Sequence, residues 1–270
     1  MSSSRYYKFK KISKEERIKR LKILFFFIAI LVCLLSISWL IFLSPFFEIK
    51  TISIVSENIY VTSENVAEIM SRITTFGLSN NILLLSNKRL NSELAAAFPS
   101  ITDIIVAKKL FHTVTIDFNR RIQIGIWCHP MGGQPQVDNC YYVDKDGIIF
   151  AKTQIIQGNL ILKIEDQSKN NVSLGDRVLN NDQMNFILAF NNKIAENNKF
   201  KILKFKIKPN SSVELEAITD KNWSIYLDEK QNPTEAVNNL LSILEEAIKN
   251  IENLEYIDLR ILNRVFYKLK

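Results

Sequence analysis

Three patterns of hydrophobic positions follow one another along the chain. From Ile23 to Leu43 there are 21 consecutive uncharged and mostly apolar residues. As a helix rising about 1.5 Å per residue, such a run reaches roughly 32 Å, enough for a hydrocarbon core of about 30 Å. One membrane-spanning helix is predicted over 23–43. Downstream the apolar runs are short and periodic, first mixing spacings of two with helical spacings, then mostly of two.

Between residues 46 and 122 the pattern reads strand, helix, helix, strand, strand. Phe47, Ile49, Ile52 and Ile54 recur mostly two apart with β-branched side chains, which suits a half-buried strand. Thr62 can cap a helix through its hydroxyl, and Val66, Ile69, Met70 and Ile73 keep helical spacing until Phe76-Gly77 stops it. Asn81 to Leu85 is a short apolar run. Ser86 then caps a second helix with Leu90, Leu94 and Phe98 on one face, ended by Pro99. Ile101 to Lys108 and Val114 to Phe118 form a hairpin, with Val114, Ile116 and Phe118 alternating against Thr115 and Asp117.

From 123 to 270 the spacing of two dominates. Strands are expected at Gln123 to Cys128, Tyr141 to Asp144, Ile148 to Ala151, Leu160 to Ile164, Ile202 to Ile207, Val213 to Ala217, Trp223 to Leu227 and, last, Ile257 to Lys268. Two helices interrupt them. Asp182 to Ala195 gathers Met184, Ile187, Leu188 and Ile194 near one face, and Pro233 to Ile251 carries Ala236, Leu240, Leu244, Ala247 and Ile251 on one stripe. The expected fold class is α+β: a single N-terminal transmembrane helix, a βααββ domain over 46–122, and a mixed, mostly antiparallel β domain with two helices over 123–270.

A formal charge of +7 and a pI near 9.2 would ordinarily suggest nucleic acid or an anionic surface. The distribution of charge removes that reading. Residues 1–22 hold nine basic and two acidic side chains, which leaves 26 of each sign in the remainder. The nine (Arg5, Lys8, Lys10, Lys11, Lys14, Arg17, Lys19, Arg20 and Lys22) mark a cytoplasmic flank, because Lys and Arg beside a membrane helix resist translocation. Beyond the span, Pro45, Phe46 and Phe47 lead into Glu48 and a single Lys50. The tail is read as a topology determinant drawn to anionic headgroups, with a cytoplasmic binding motif as the second reading. A cleaved secretory signal shares the basic and apolar regions. Its apolar core is shorter, however, and residues 38–44 offer no pair of small residues for cleavage before Phe46 and Phe47. A retained anchor is expected.

Few residues point to chemistry. Asp144-x-Asp146-Gly147 resembles the opening of a calcium loop, but apolar Ile148-Ile149-Phe150 follows at once, and a hairpin turn at Asp146-Gly147 fits better. His129 lies beside Cys128 and Cys140, without a fourth ligand or the paired spacings of a zinc site. Neither a nucleophile elbow, an S-x-x-K pair, a Walker loop nor an H-E-x-x-H motif occurs, so no catalytic residue, cofactor or metal is expected. Cys128 and Cys140 bracket residues 129–139, too rich in Gly and Pro for a strand. In an exported domain a disulfide between them is favoured over two buried thiols, and closing this loop contributes about 3 kcal/mol in the chain-entropy view. Cys33 lies in the membrane helix as apolar filler. In the last strand Ile257, Leu259 and Ile261 alternate with Tyr256, Asp258 and Arg260. In the plainest reading, Asp258 and Arg260 pair with each other or with a neighbouring strand.

The order Phe47-x-Ile49-x-x-Ile52-x-Ile54, Asn81-Ile82-Leu83, Leu90, Leu94, Pro99, Ile101, Val106, Val114-x-Ile116 and Arg120-Arg121 resembles the POTRA domain of the bacterial cell-division family FtsQ/DivIB. Tyr142 to Phe150 resembles that family's first β-domain hairpin, and Tyr256-Ile257-Asp258-Leu259-Arg260 followed by Asn263 to Lys268 resembles its C-terminal signature. Three departures stand out: Ser56-Glu57-Asn58 where Gly-Asn is usual, Leu110-Phe111-His112-Thr113 where Pro is frequent, and an insertion between Cys128 and Cys140.

The resemblance implies a non-enzymatic, single-pass divisome scaffold at the septum of the bacterial inner membrane. Its partners would be FtsB/DivIC-like and FtsL-like bitopic proteins, and it would help control septal peptidoglycan synthesis. It also implies that a partner segment adds as a strand beside the C-terminal strand, touching Arg260, Ile261, Asn263, Arg264 and Phe266, although an aromatic is often found where Ile261 stands. The alternative is a POTRA-bearing accessory factor in outer-membrane protein assembly or secretion, which would also bind strands by augmentation.

Overall fold

The apolar run forms one helix. In the computed structural model, which describes residues 14–42, 44–56, 61–73, 81–109, 111–130, 138–153, 161–167, 172–197, 199–208, 215–262 and 264–270, α1 spans Lys14–Phe42. Among the described residues nothing covers its apolar side chains, with Phe25, Phe26 and Leu35 all more than half exposed. The helix is long and apolar enough to cross a membrane. The basic residues 1–13 and Leu43 lie outside the described residues, as do Asn58, the helix stop at Phe76-Gly77, and Leu110.

The chain divides into two compact units, Met1–Ser92 with Ile105–Asp117, and Glu93–Ile104 with Phe118–Lys270. In the first, Ser44 accepts a hydrogen bond from the Phe46 N–H and Pro45 opens a short 3-10 turn, Pro45–Phe47. Strand β1 therefore begins at Thr51 (Thr51–Ile54) and not at Phe47 as the spacing suggests. Along the chain follow α2 (Ser63–Ile73), α3 (Asn87–Ala97), β2 (Ile101–Lys109) and β3 (Thr113–Arg120), the βααββ order expected, with α3, β2 and β3 each lying partly in both units. The Thr62 hydroxyl accepts from Asn65 N–H at the start of α2, whose Val66, Ile69, Met70 and Ile73 are buried. Ser86 does the same for Arg89 in α3. The sheet order is β1-β3-β2, with β1 parallel to β3 and Ile52 facing Val114.

The second unit is built on a nine-stranded sheet. Its strands are β4 (Gly125–Pro130), β5 (Asp138–Val143), β6 (Ile149–Lys152), β7 (Leu162–Asp166), β8 (Ile202–Ile207), β9 (Leu215–Thr219), β10 (Ser224–Leu227), β11 (Leu254–Asp258) and β12 (Phe266–Leu269). They lie in the order β12-β11-β10-β9-β8-β7-β4-β5-β6. Five of the eight pairings are antiparallel. Helices α4 (Asn181–Asn197) and α5 (Pro233–Glu246) supply Met184, Ile187, Phe190, Val237, Leu240 and Leu244 to one core with Trp127, Ile164, Phe205, Ile225 and Ile257 of the sheet. Asn232 caps α5, its Oδ1 accepting from Thr234 and Glu235.

Three sequence expectations are corrected here. The long final strand Ile257 to Lys268 is two strands, β11 and β12, paired antiparallel across a turn. The Gly- and Pro-rich loop is shorter than residues 129–139, because Pro130 pairs with Asp138 and His129 with Asn139 at the ends of β4 and β5; residues 131–137 lie outside the described residues. The second long helix ends at Glu246 and not at Ile251. Asn250 there caps a separate 3-10 turn, Ile251–Asn253, by accepting from Glu252 N–H.

Two local features hold the sheet's far end. Asp144 Oδ1 accepts from the N–H groups of Asp146 and Ile148, its Oδ2 pairs with the Arg121 guanidinium, and Arg121 Nε donates to the Pro99 carbonyl. Those bonds occupy the carboxylate that a calcium loop would need and make the segment a turn, with Gly147 at φ 72°. Cys128 and Cys140 are direct register partners in β4 and β5 and are joined by a disulfide. That bond takes both sulfurs from any metal set, and His129 Nδ1 meets the Asp166 carbonyl at 2.8 Å.

Candidate protein-interaction site

A mixed sheet with helices on one face must solve two problems on the other sides: what covers its second face, and what ends it. Register answers the first. Cys128 of β4, Glu165 of β7, Lys206 of β8, Glu216 of β9, Tyr226 of β10, Asp258 of β11 and Phe266 of β12 are successive cross-strand partners, so they form one row across the face away from α4 and α5. Charges of opposite sign alternate along it. Glu165 is met by Lys163 and Lys204 at 3.1 and 2.9 Å, and Glu216 by Lys208 at 3.2 Å. Burial works against ionisation of Glu165, but the hydrogen bonds and charges of Lys204 and Lys163 outweigh it and hold the carboxyl below its ordinary range.

Next to the edge the row becomes aromatic. Tyr226 and Tyr256 have ring centroids 5.0 Å apart, and the Tyr226 ring is capped by Lys208 Nζ and by the Arg260 guanidinium, each 5.4 Å from its centroid. Burial, then Glu216, raises the Tyr226 phenol above its usual value. Asp258 accepts from Arg260 through the backbone N–H, Nε and Nη2, at 3.0, 2.9 and 2.7 Å. The Asp258 carboxyl is lowered chiefly by those side-chain bonds, with burial opposing. The plainest reading of this pair holds: Asp258 and Arg260 engage each other, and Gln231 Nε2 donates to the Arg260 carbonyl.

The residues expected to contact a partner separate into two groups. Arg260 is turned back into the Asp258 and Tyr226 cluster. Ile261, at 50% exposure, Arg264 and Phe266, at 49%, face solvent around the β11 to β12 turn, which Arg264 N–H helps close on the Ile261 carbonyl. Asn263 lies outside the described residues. The sequence reading missed Leu262, Tyr267 and Leu269, which are as exposed as Phe266 and complete an apolar margin. Their signal was present as large apolar residues at the end of a strand, but a strand taken as single hides which of its residues form an edge.

That edge is chemically competent for strand addition. β12 ends the sheet order among the described residues, so alternate backbone N–H and C=O groups along it face away from β11. Lys268, held to Glu255 at 2.7 Å, is its one charged side chain, whereas flat aggregation-resistant edges usually carry several. Among the described residues no three His, Cys, Asp or Glu side chains gather as a metal site.

Comparison with curated proteins gave no match. Residues 132–260 match the family model described as Cell division protein FtsQ/DivIB, C-terminal. The match runs from the segment before β5 to Arg260, through most of the sheet that carries this edge. Over those residues the chain carries the C-terminal domain of the FtsQ/DivIB family of bacterial cell-division proteins.

Proposed function

We propose that this chain is a bitopic divisome scaffold without enzymatic activity, whose β12 edge receives a strand from an FtsB/DivIC-like partner. An FtsL-like protein would join the same complex, and through it the scaffold would help control septal peptidoglycan synthesis. In this reading the tail, residues 1–22, stays in the cytoplasm, α1 is retained in the inner membrane at the septum, and a POTRA domain (46–122) and a β domain (123–270) stand outside. A cross-strand disulfide is consistent with an oxidising, extracytoplasmic setting. The observation that carries the proposal is the exposed, largely apolar edge of β12 in a sheet whose other face is closed by paired charges.

Strand addition draws affinity from main-chain hydrogen bonds and selectivity from alternate side chains. Phe266→Ala should therefore weaken binding of the partner's extracytoplasmic segment about tenfold, and Arg264→Glu about threefold, with the fold unchanged. Titration of the solubilised protein with that segment measures both. Unchanged affinity in the double variant sinks the edge model. A fluorescent fusion that fails to reach midcell would favour the outer-membrane accessory reading.

A further inference from the structure

The end of the membrane helix is tied into the first unit by specific bonds. The last carbonyls of a helix lack intrahelical partners, and in or near lipid no water replaces them cheaply. Here the Asn81 Nδ2 donates to the Ile41 carbonyl at 2.6 Å, and Asn81 Oδ1 accepts from Leu83 N–H. Ile82 N–H donates to the Phe47 carbonyl, and Asn81 bridges to Glu48. The β2 to β3 hairpin reaches the same place: Phe111 lies 4.9 Å from Phe46, centroid to centroid, and His112 Nδ1 meets the Glu48 carbonyl at 2.9 Å.

These bonds gather four exposed apolar side chains beside the end of α1: Phe46 (52%), Leu83 (43%), Leu84 (39%) and Phe111 (48%). If the 23–43 run fills the hydrocarbon core, Phe46 stands only a few residues beyond it, at headgroup depth, where aromatic side chains are favoured. Lys50, which follows Phe46 and whose N–H donates to His112, and Lys109, at the end of β2, add positive charge around the plate. Lys108 is held below its usual value by burial.

We propose that this plate rests in the bilayer interface, with lipid as its occupant, so that the first unit is seated on the membrane and not hung from it by a flexible stalk. The argument for lipid is continuity: the plate adjoins the apolar helix and is bonded to its last turn. This inference rests on α1 spanning a membrane, and is independent of the β12 edge.

The test uses the full chain in phosphatidylglycerol-containing nanodiscs, with the photoreactive p-benzoylphenylalanine at Phe111, at Leu84, or at Ile105, an exposed position on β2. Mass spectrometry should find roughly tenfold more lipid adduct at 111 and 84 than at 105, as expected for groups inside the headgroup layer. Adduct at both positions no greater than at 105 overturns the proposal. So does photolysis in cells that yields protein adducts instead of lipid. If the hairpin variant misfolds, the Leu84 variant decides, since its turn position is open to solvent.

Discussion

Asp258 does two jobs that pull its carboxylate toward ionisation. It caps the turn after β11 through Arg260 N–H, and it holds the guanidinium against Tyr226. The folded pKa is lowered, so the stabilisation is complete above the unfolded aspartate value of about 3.9 and is lost as pH falls through the folded value. Asp258→Asn should cost about 1 kcal/mol at neutral pH, a modest figure because the Arg260 side chain is 35% exposed. The deficit should shrink as the solution is acidified past the unfolded value; urea denaturation at neutral and acid pH measures both gaps. A deficit independent of pH would mean that packing, not charge, holds the turn. Gly147 poses a steric question instead. It sits at φ 72°, and a Cβ there would stand 2.2 Å from the Leu179 carbonyl oxygen, while Val178 N–H donates to the Gly147 carbonyl. Gly147→Ala should therefore destabilise by about 2 kcal/mol or more, read from the same denaturation curves.

At the scale of elements, the disulfide ties two strands that already pair, so its effect should come from the chain it closes in the unfolded state. With Cys128 and Cys140 separated by 12 positions, the Cys128→Ala and Cys140→Ala double variant should lose about 3 kcal/mol, while leaving partner affinity at the distant β12 edge unchanged. Thermal unfolding with and without dithiothreitol, alongside the binding titration, checks both halves. Other elements show what a sequence can disclose. Strand β8 falls where period two places it, and α2 follows its Thr62 cap, because burial on one face and a capping hydroxyl are written locally. The break between β11 and β12 was harder to read. Residues 259–265 contain no Gly or Pro, and the turn depends on Asp258 accepting from its own chain two residues on, a signal shared by many aspartates that make no turn. The row from Cys128 to Phe266 was unreadable for another reason. It exists only once seven strands are in register, and strand order is not a property of any one segment.

For the whole molecule, the net charge and the apolar β12 margin are separated along the chain. The excess of basic side chains lies in residues 1–22, and the remaining 248 residues balance 26 against 26. On the open face of the sheet the charges are already paired with each other, and the margin at β12 is mostly apolar. If the edge binds by backbone hydrogen bonds, salt has little to screen there, since main-chain dipoles and apolar contacts outlast a Debye length of about 3 Å at 1 M. The tail differs: each Lys or Arg near an anionic surface contributes about 1 kcal/mol that salt removes. Raising salt from low to near molar should therefore change the partner segment's Kd by less than about threefold, for protein held in zwitterionic nanodiscs. Over the same range, attraction of a peptide of residues 1–22 to phosphatidylglycerol vesicles should largely disappear. A steep salt slope for the partner segment would move recognition from the β12 edge to the charged face, and the row of paired side chains would then have to open to bind.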